Sequence, residues 1–347
     1  MESPNWSSSA FIASTSLLAL LMINYRASKR ASSQSVDDEI TIELNDKGER
    51  EITKKQKLMK KVMLKGSSSS SSSSTLQPTT KWSNGAIPPG NFRTISWLQT
   101  DLSAPIQDPA YSLEESKYRL TLVLGERKLV LALEELQSLG MKKFEKVDWH
   151  CVTGWSYLGL TLYGIPIKRL LSVLGEELVD DPNQWKWLFQ VSADGYTCPV
   201  FREDTMRDDV FFALRDETGS LLSVKHGGPR FIFPSLWGWK SSKYLTEVRL
   251  LREYVPGFWE KLMCHPRGRI YDDQGNYLEE RWAPSARKHG VHDFLTGLVN
   301  IYHRLFGARV YSYTMSIGGW ILGKLAKPLL AVNSDPSTTN YPRPVSC

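Results

Sequence analysis

Cysteine is scarce in this sequence. The four present, Cys151, Cys198, Cys264 and Cys347, form no Cys-x-x-Cys pair, which excludes a disulfide framework and a structural zinc site of ordinary spacing. Neither a Gly-x-x-x-x-Gly-Lys-Ser/Thr phosphate loop nor a Gly-x-Gly-x-x-Gly turn occurs, so nucleotide binding by those routes has no support. A Gly-x-Ser-x-Gly elbow is also missing, which removes the serine-hydrolase reading. Excess charge of one sign is small: 43 Lys and Arg against 37 Asp and Glu leave a surplus of six, partly in residues 26–30 and 54–65, a weak argument for nucleic acid. Long apolar runs are few, and the first, residues 10–23, falls short of the roughly 20 residues of a spanning helix.

Aromatic residues, by contrast, are plentiful. Twelve tryptophans in 347 residues favour a large aromatic core in one globular domain with extensions. Extending the first apolar run to residues 6–25 reaches spanning length, with Trp6 and Tyr25 as interfacial aromatics and Arg26, Lys29 and Arg30 holding the body on the cytosolic side. No basic region precedes the run, and acidic residues are rare before Asp37, so an organelle-targeting presequence is the rival reading of residues 1–33. Residues 34–85 are polar and include a serine run at 67–74, and they read as a linker that cannot bury a core.

Residues 86–282 read as the folded domain. Residues 118–131 suggest two strands around Gly125, followed by a helix at 132–139. Further strands are expected at 146–152, 187–192 and 230–234, and short helices at 167–174 and 207–214. The mixture lacks a regular βαβα alternation, so the fold class is α+β rather than a doubly wound sheet. Residues 283–347 read as a helical extension with a loose tail. Val291, Phe294, Leu295, Leu298, Ile301, Tyr302 and Leu305 recur at helical spacing, on a face that packs on the domain or meets a partner or membrane.

Three stretches could carry chemistry. The first, His150-Cys151-Val152-Thr153-Gly154-Trp155-Ser156, places a cysteine where a strand enters a Gly-containing turn. A thiolate there could ligate a soft metal or act as a nucleophile, although a lone cysteine is more often a small buried hydrophobe. His150 falls on the opposite strand face and is a poor co-ligand. The second, residues 225–243, gathers His226, Arg230, Lys240, Ser241, Ser242 and Lys243 among glycines, which suits a phosphate or a basic surface turn. The third, Ser192-Ala193-Asp194-Gly195-Tyr196-Thr197, reads alone only as a turn.

Together with Pro88-Pro89-Gly90, Trp239-Lys240-Ser241-Ser242-Lys243-Tyr244 and Pro256-Gly257-Phe258-Trp259-Glu260, these stretches resemble the oxidoreductase molybdopterin-binding domain shared by sulfite oxidases and bacterial methionine sulfoxide reductases. The similarity is greatest to its single-domain, sulfite-oxidase-like members. It implies a sulfite-oxidase-type fold of mixed sheets and short helices, and a molybdenum–molybdopterin cofactor with Cys151 as metal ligand. It also implies a pterin and phosphate site at His226, Arg230, Ser241, Ser242 and Lys243, with Lys240 as a neighbour and Ser192 as a further contact. The implied activity is two-electron oxo transfer on a small oxyanion or sulfoxide, with a separate electron-transfer partner. Rival readings are a cofactor-free interaction scaffold and a carrier of the cofactor. Family members place a residue between the proline and the arginine, whereas this chain runs directly from Pro229 to Arg230. Nothing resembles the long dimerisation region of full sulfite oxidases, nor a haem or flavin domain.

Overall fold

Alternation of apolar and polar side chains sets the first hairpin. In β2 (Arg119–Leu124), Leu120, Leu122 and Leu124 turn inward, and β3 (Arg127–Ala132) pairs antiparallel with it. Helix α1 (Leu133–Ser138) follows at once, its first turn closed by the Glu135 carboxylate, which accepts from Ala132 N at 2.7 Å. This computed structural model describes residues 85–94, 97, 114–223, 226–262, 264–272, 274–278 and 280–284, with isolated positions from 301 to 310. All of these lie in the unit Glu51–Cys347, distinct from Met1–Arg50.

Two five-stranded sheets carry the fold. In the first, β5 (Trp155–Pro166) is the organiser. Along one edge it pairs antiparallel with β4 (Lys142–Cys151). On the other it meets β1 (Phe92–Arg93) in parallel and β8 (Phe211–Arg215) antiparallel, and β9 (Arg230–Ile232) lies beyond β8. The second sheet runs β3-β2-β10-β6-β7, where β6 is Trp187–Ser192, β7 is Thr197–Phe201 and β10 is Leu245–Leu251. Parallel pairing of β10 with β2 makes this sheet mixed. Short helices α2 (Ile167–Leu171), α3 (Glu176–Asp180), α4 (Arg202–Thr205) and α5 (Phe258–Leu262) sit at strand ends. The architecture is α+β, built of two sheets and short helices.

The main core draws side chains from both sheets and from α1 and α2, among them Leu122, Leu136, Leu170, Phe212, Phe231 and Val248. A second core, with Phe144, Trp155, Leu162, Phe211 and Ile232, covers the other face of the first sheet. Burial on both faces corrects one expectation. Residues 207–214 do not form a helix: β8 lies between β5 and β9, with Phe211, Phe212, Ala213 and Leu214 all buried. A strand covered on both sides shows an unbroken apolar run, which periodicity alone cannot tell from a buried helix. The segment 167–174 is α-helical to Leu171 and continues as a 3-10 turn, Ser172–Leu174.

Among the described residues no helix is long and apolar enough to cross a membrane. The segment 6–25 and the linker 34–84 lie outside the described residues. Of the helix expected at 291–306, Ile301 and Leu305 are described, on helical backbone and exposed.

Candidate molybdopterin site

Cys151 ends β4 and pairs with Trp155, which opens β5, across the three-residue loop 152–154. Gly154 closes the loop with φ 93°, a left-handed conformation that fits a glycine at the last position of such a hairpin. Its N–H donates to Cys151 O at 3.2 Å. From outside the hairpin, Asn91 Nδ2 reaches Cys151 O at 3.2 Å, Trp155 O at 2.9 Å and Ser156 Oγ at 3.0 Å. Asn91 is itself held, because Arg281 donates to its Oδ1 at 3.2 Å and to Pro89 O at 3.1 Å while stacking 4.2 Å over Trp237. The Cys151 sulfur is buried and lies 3.0 Å from Thr153 Oγ1.

His150 takes the other face, as strand alternation requires. Its Nδ1 lies 2.9 Å from Ser156 Oγ, and burial lowers its pKa to about 4, so the ring is neutral near pH 7. Cys198 and Cys264 are buried thiols whose pKa values burial pushes well above the ordinary range. Burial therefore favours their protonated form.

The basic stretch forms a cradle over the β6–β7 hairpin. Arg230 is buried, and its guanidinium braces the two arms: Nε donates to Ser241 Oγ at 2.8 Å, Nη1 to His226 O at 3.1 Å and Nη2 to Ser241 O. It also lies 4.8 Å from the Trp149 ring, two residues before Cys151. The direct Pro229–Arg230 junction therefore keeps the arginine in the site. His226 stacks on Trp97 with centroids 4.6 Å apart. The Lys243 stem crosses Gly227, where a Cβ would lie 2.4 Å from Lys243 Cγ, so only glycine fits beneath it. Tyr244 N donates to Gly227 O at 2.6 Å from a left-handed backbone, φ 53°, a strained conformation for a bulky residue.

Gln190 ties the cradle to β6. Its Nε2 donates to Lys240 O at 2.7 Å, and its Oε1 accepts from Ser242 N at 3.2 Å. Ser192 lies two residues further along the same face. The Oγ atoms of Ser192 and Ser242 are buried without a partner in the protein, as is Trp155 Nε1 across from Cys151. Each unmet buried polar atom costs about 1–3 kcal/mol, and two such hydroxyls, one at the end of β6 and one in the basic loop, suit a polar, anionic ligand. The residues present thus fit a phosphate-tailed pterin.

Lys240 is the exception among the expected site residues. Its ammonium donates to Pro199 O at 2.9 Å, Glu260 Oε1 at 2.6 Å and Pro266 O at 2.5 Å. All three N–H bonds are used within the protein, so this lysine braces the cradle from beneath and its ammonium has no N–H left to offer a phosphate. Burial disfavours its charge, but Glu260 outweighs that and its pKa lies above the ordinary value. Asn91, Gln190, Trp97 and Arg281 were not anticipated. Asn91 follows Pro88-Pro89-Gly90 directly, and Glu260 closes the Pro256–Glu260 motif, so both stood beside a legible signal. Trp97 had none.

The sequence profile of the oxidoreductase molybdopterin binding domain matches residues 106–259. Among curated relatives, the uncharacterized oxidoreductase YuiH of Bacillus subtilis is 28% identical over 196 residues, 55% of this chain and 92% of the relative. YedZ1 of Azospira oryzae, named as a protein-methionine-sulfoxide reductase subunit, is 26% identical over 156 residues, 44% of this chain and 56% of its own length. The crystal structure of the sulfane dehydrogenase SoxCD from Paracoccus pantotrophus superposes with a TM-score of 0.37 at 19% identity, over 50% of this chain and 47% of that one. The six motifs and the profile match agree: residues 106–259 carry the oxidoreductase molybdopterin binding domain, and the chain is a molybdopterin-dependent oxidoreductase.

Proposed function

We propose that this oxidoreductase performs two-electron oxo transfer on a small oxyanion or sulfoxide, with Cys151 as the protein's ligand to molybdenum. The observation that carries this reading is the pair of unpartnered hydroxyls, Ser192 Oγ and Ser242 Oγ, in a cradle with Arg230, Ser241 and Lys243. When bound, the molybdenum–pterin group supplies the redox chemistry, and the chain orients and tunes it.

The residues divide the remaining tasks. Cys151 would hold the metal through its sulfur, presented by a turn whose two flanking carbonyls Asn91 fixes. Lys243 and the hydroxyls of Ser192 and Ser242 would hold the pterin and its phosphate. Arg230 and Ser241 keep the two arms of the cradle together, and His226 closes one end against Trp97. Burial excludes water and strengthens each charged contact relative to solution.

The name of the YedZ1 relative supports the sulfoxide end of the substrate class, and its description as a subunit supports a separate electron-transfer partner. Residues 6–25 would supply membrane association if that partner is membrane-bound.

The test is metal analysis with pterin fluorescence after oxidation, on protein from a molybdenum-replete host, for wild type and Cys151→Ala together. About one molybdenum and one pterin per chain, with the metal or its redox activity lost in the variant, is the expected result. A well-folded wild type with neither would replace this reading with the scaffold.

A further inference from the structure

The turn that carries Cys151 also carries a hydroxyl aimed at its sulfur. Thr153 Oγ1 lies 3.0 Å from Cys151 Sγ. That contact is built into the hairpin: the Gly154 N–H closes the loop onto Cys151 O, and Asn91 holds the carbonyls of Cys151 and Trp155 on either side. Val152, between the two residues, packs against the cluster of Trp237 and Trp239. The loop is therefore fixed at both ends and at its corner, and Thr153 is set beside the sulfur by the backbone.

We propose that Thr153 is a positioning residue that donates a hydrogen bond to the Cys151 thiolate and so sets the reduction potential of the metal bound there. The inference rests on Cys151 being the metal ligand. A ligating thiolate has no proton, so the hydroxyl must be the donor in this pair. Hydrogen bonds to a ligating sulfur draw charge from it and weaken its donation to the metal, which favours the reduced form. Removing the hydroxyl makes the sulfur a stronger donor, stabilises the oxidised metal and moves the potential to more negative values.

Two variants of the full-length, cofactor-loaded protein separate this role from a structural one. Thr153→Val keeps the shape and removes the hydroxyl, and Thr153→Ser keeps the donor. Molybdenum and pterin contents are measured first, then the one-electron midpoint by redox titration followed by electron paramagnetic resonance. The expected result is unchanged metal content in both. In Thr153→Val the midpoint falls by about 59 mV, a tenfold change in the one-electron equilibrium constant; in Thr153→Ser it returns to the wild-type value. The sulfur-to-metal absorption band should move to lower energy in the valine variant alone. Metal loss from Thr153→Val with full retention in Thr153→Ser would support the same contact. A loaded valine variant with the wild-type midpoint would overturn the inference and leave Cys151 as ligand intact, as would metal loss from both variants. Wild type without molybdenum would remove both the ligand reading and this one.

Discussion

The Cys151 turn and the cradle from His226 to Tyr244, the two parts of the proposed site, are held in different ways. The turn is a hairpin whose ends pair directly, Cys151 with Trp155, and one distant side chain, Asn91, secures it. The cradle has no regular pairing of its own beyond β9. It is assembled by Gln190, Arg230, Tyr244 and the buried Lys240–Glu260 pair, through side-chain and loop contacts that span from four to fifty positions. Changes in the turn should therefore act mainly on the metal, whereas changes beneath the cradle should act on the fold as well.

Lys240→Met gives the sharpest test. It leaves the Glu260 carboxylate buried and unpaired, which should cost about 3–5 kcal/mol in urea unfolding, and adding Glu260→Leu should restore most of that. A loss below about 1 kcal/mol would mean that the cradle stands without this pair. Next is Lys243→Glu, which should weaken pterin retention by roughly 10–100-fold, the value of one charge-assisted bond, with the unfolding midpoint little changed. Full pterin fluorescence in that variant would show that the phosphate lies elsewhere. Asn91→Ala should lower stability by on the order of 1.5 kcal/mol and reduce molybdenum content more than pterin content. Equal loss of both would erase the distinction between turn and cradle. The smallest effect is expected for Ser242→Ala. Removing an unpartnered buried hydroxyl should stabilise the cofactor-free protein by about 1 kcal/mol while loosening the cofactor. A destabilised cofactor-free variant would show that the hydroxyl already has a partner within the fold.

Local features were legible in the sequence. The β2–β3 hairpin and α1 follow from alternation around Gly125, and β6 ends where the Asp194-Gly195 turn begins. The Cys151 turn could be read from its glycine, and the place of His150 from strand alternation. Segments buried on two faces were not legible in the same way, because β8 has no polar side to reveal its period. The partners of Lys240 were hidden for a related reason. A lysine next to serines in a basic loop looks like a phosphate contact, and only the folded chain brings Glu260, Pro199 and Pro266 to it. Asn91, Gln190 and Arg281 act through partners 50 or more positions away, a separation that spacing along the chain does not encode.

Gln190 has one more consequence. With one N–H given to Lys240 O and its oxygen taken by Ser242 N, its amide stands in for the peptide group of a missing neighbouring strand. A carboxylate of the same shape has two acceptors and no donor, so Gln190→Glu would set an oxygen against the Lys240 carbonyl. At this position the fold discriminates between two side chains that differ by a single atom, and the cofactor loop would register the exchange before any residue that touches the cofactor had changed.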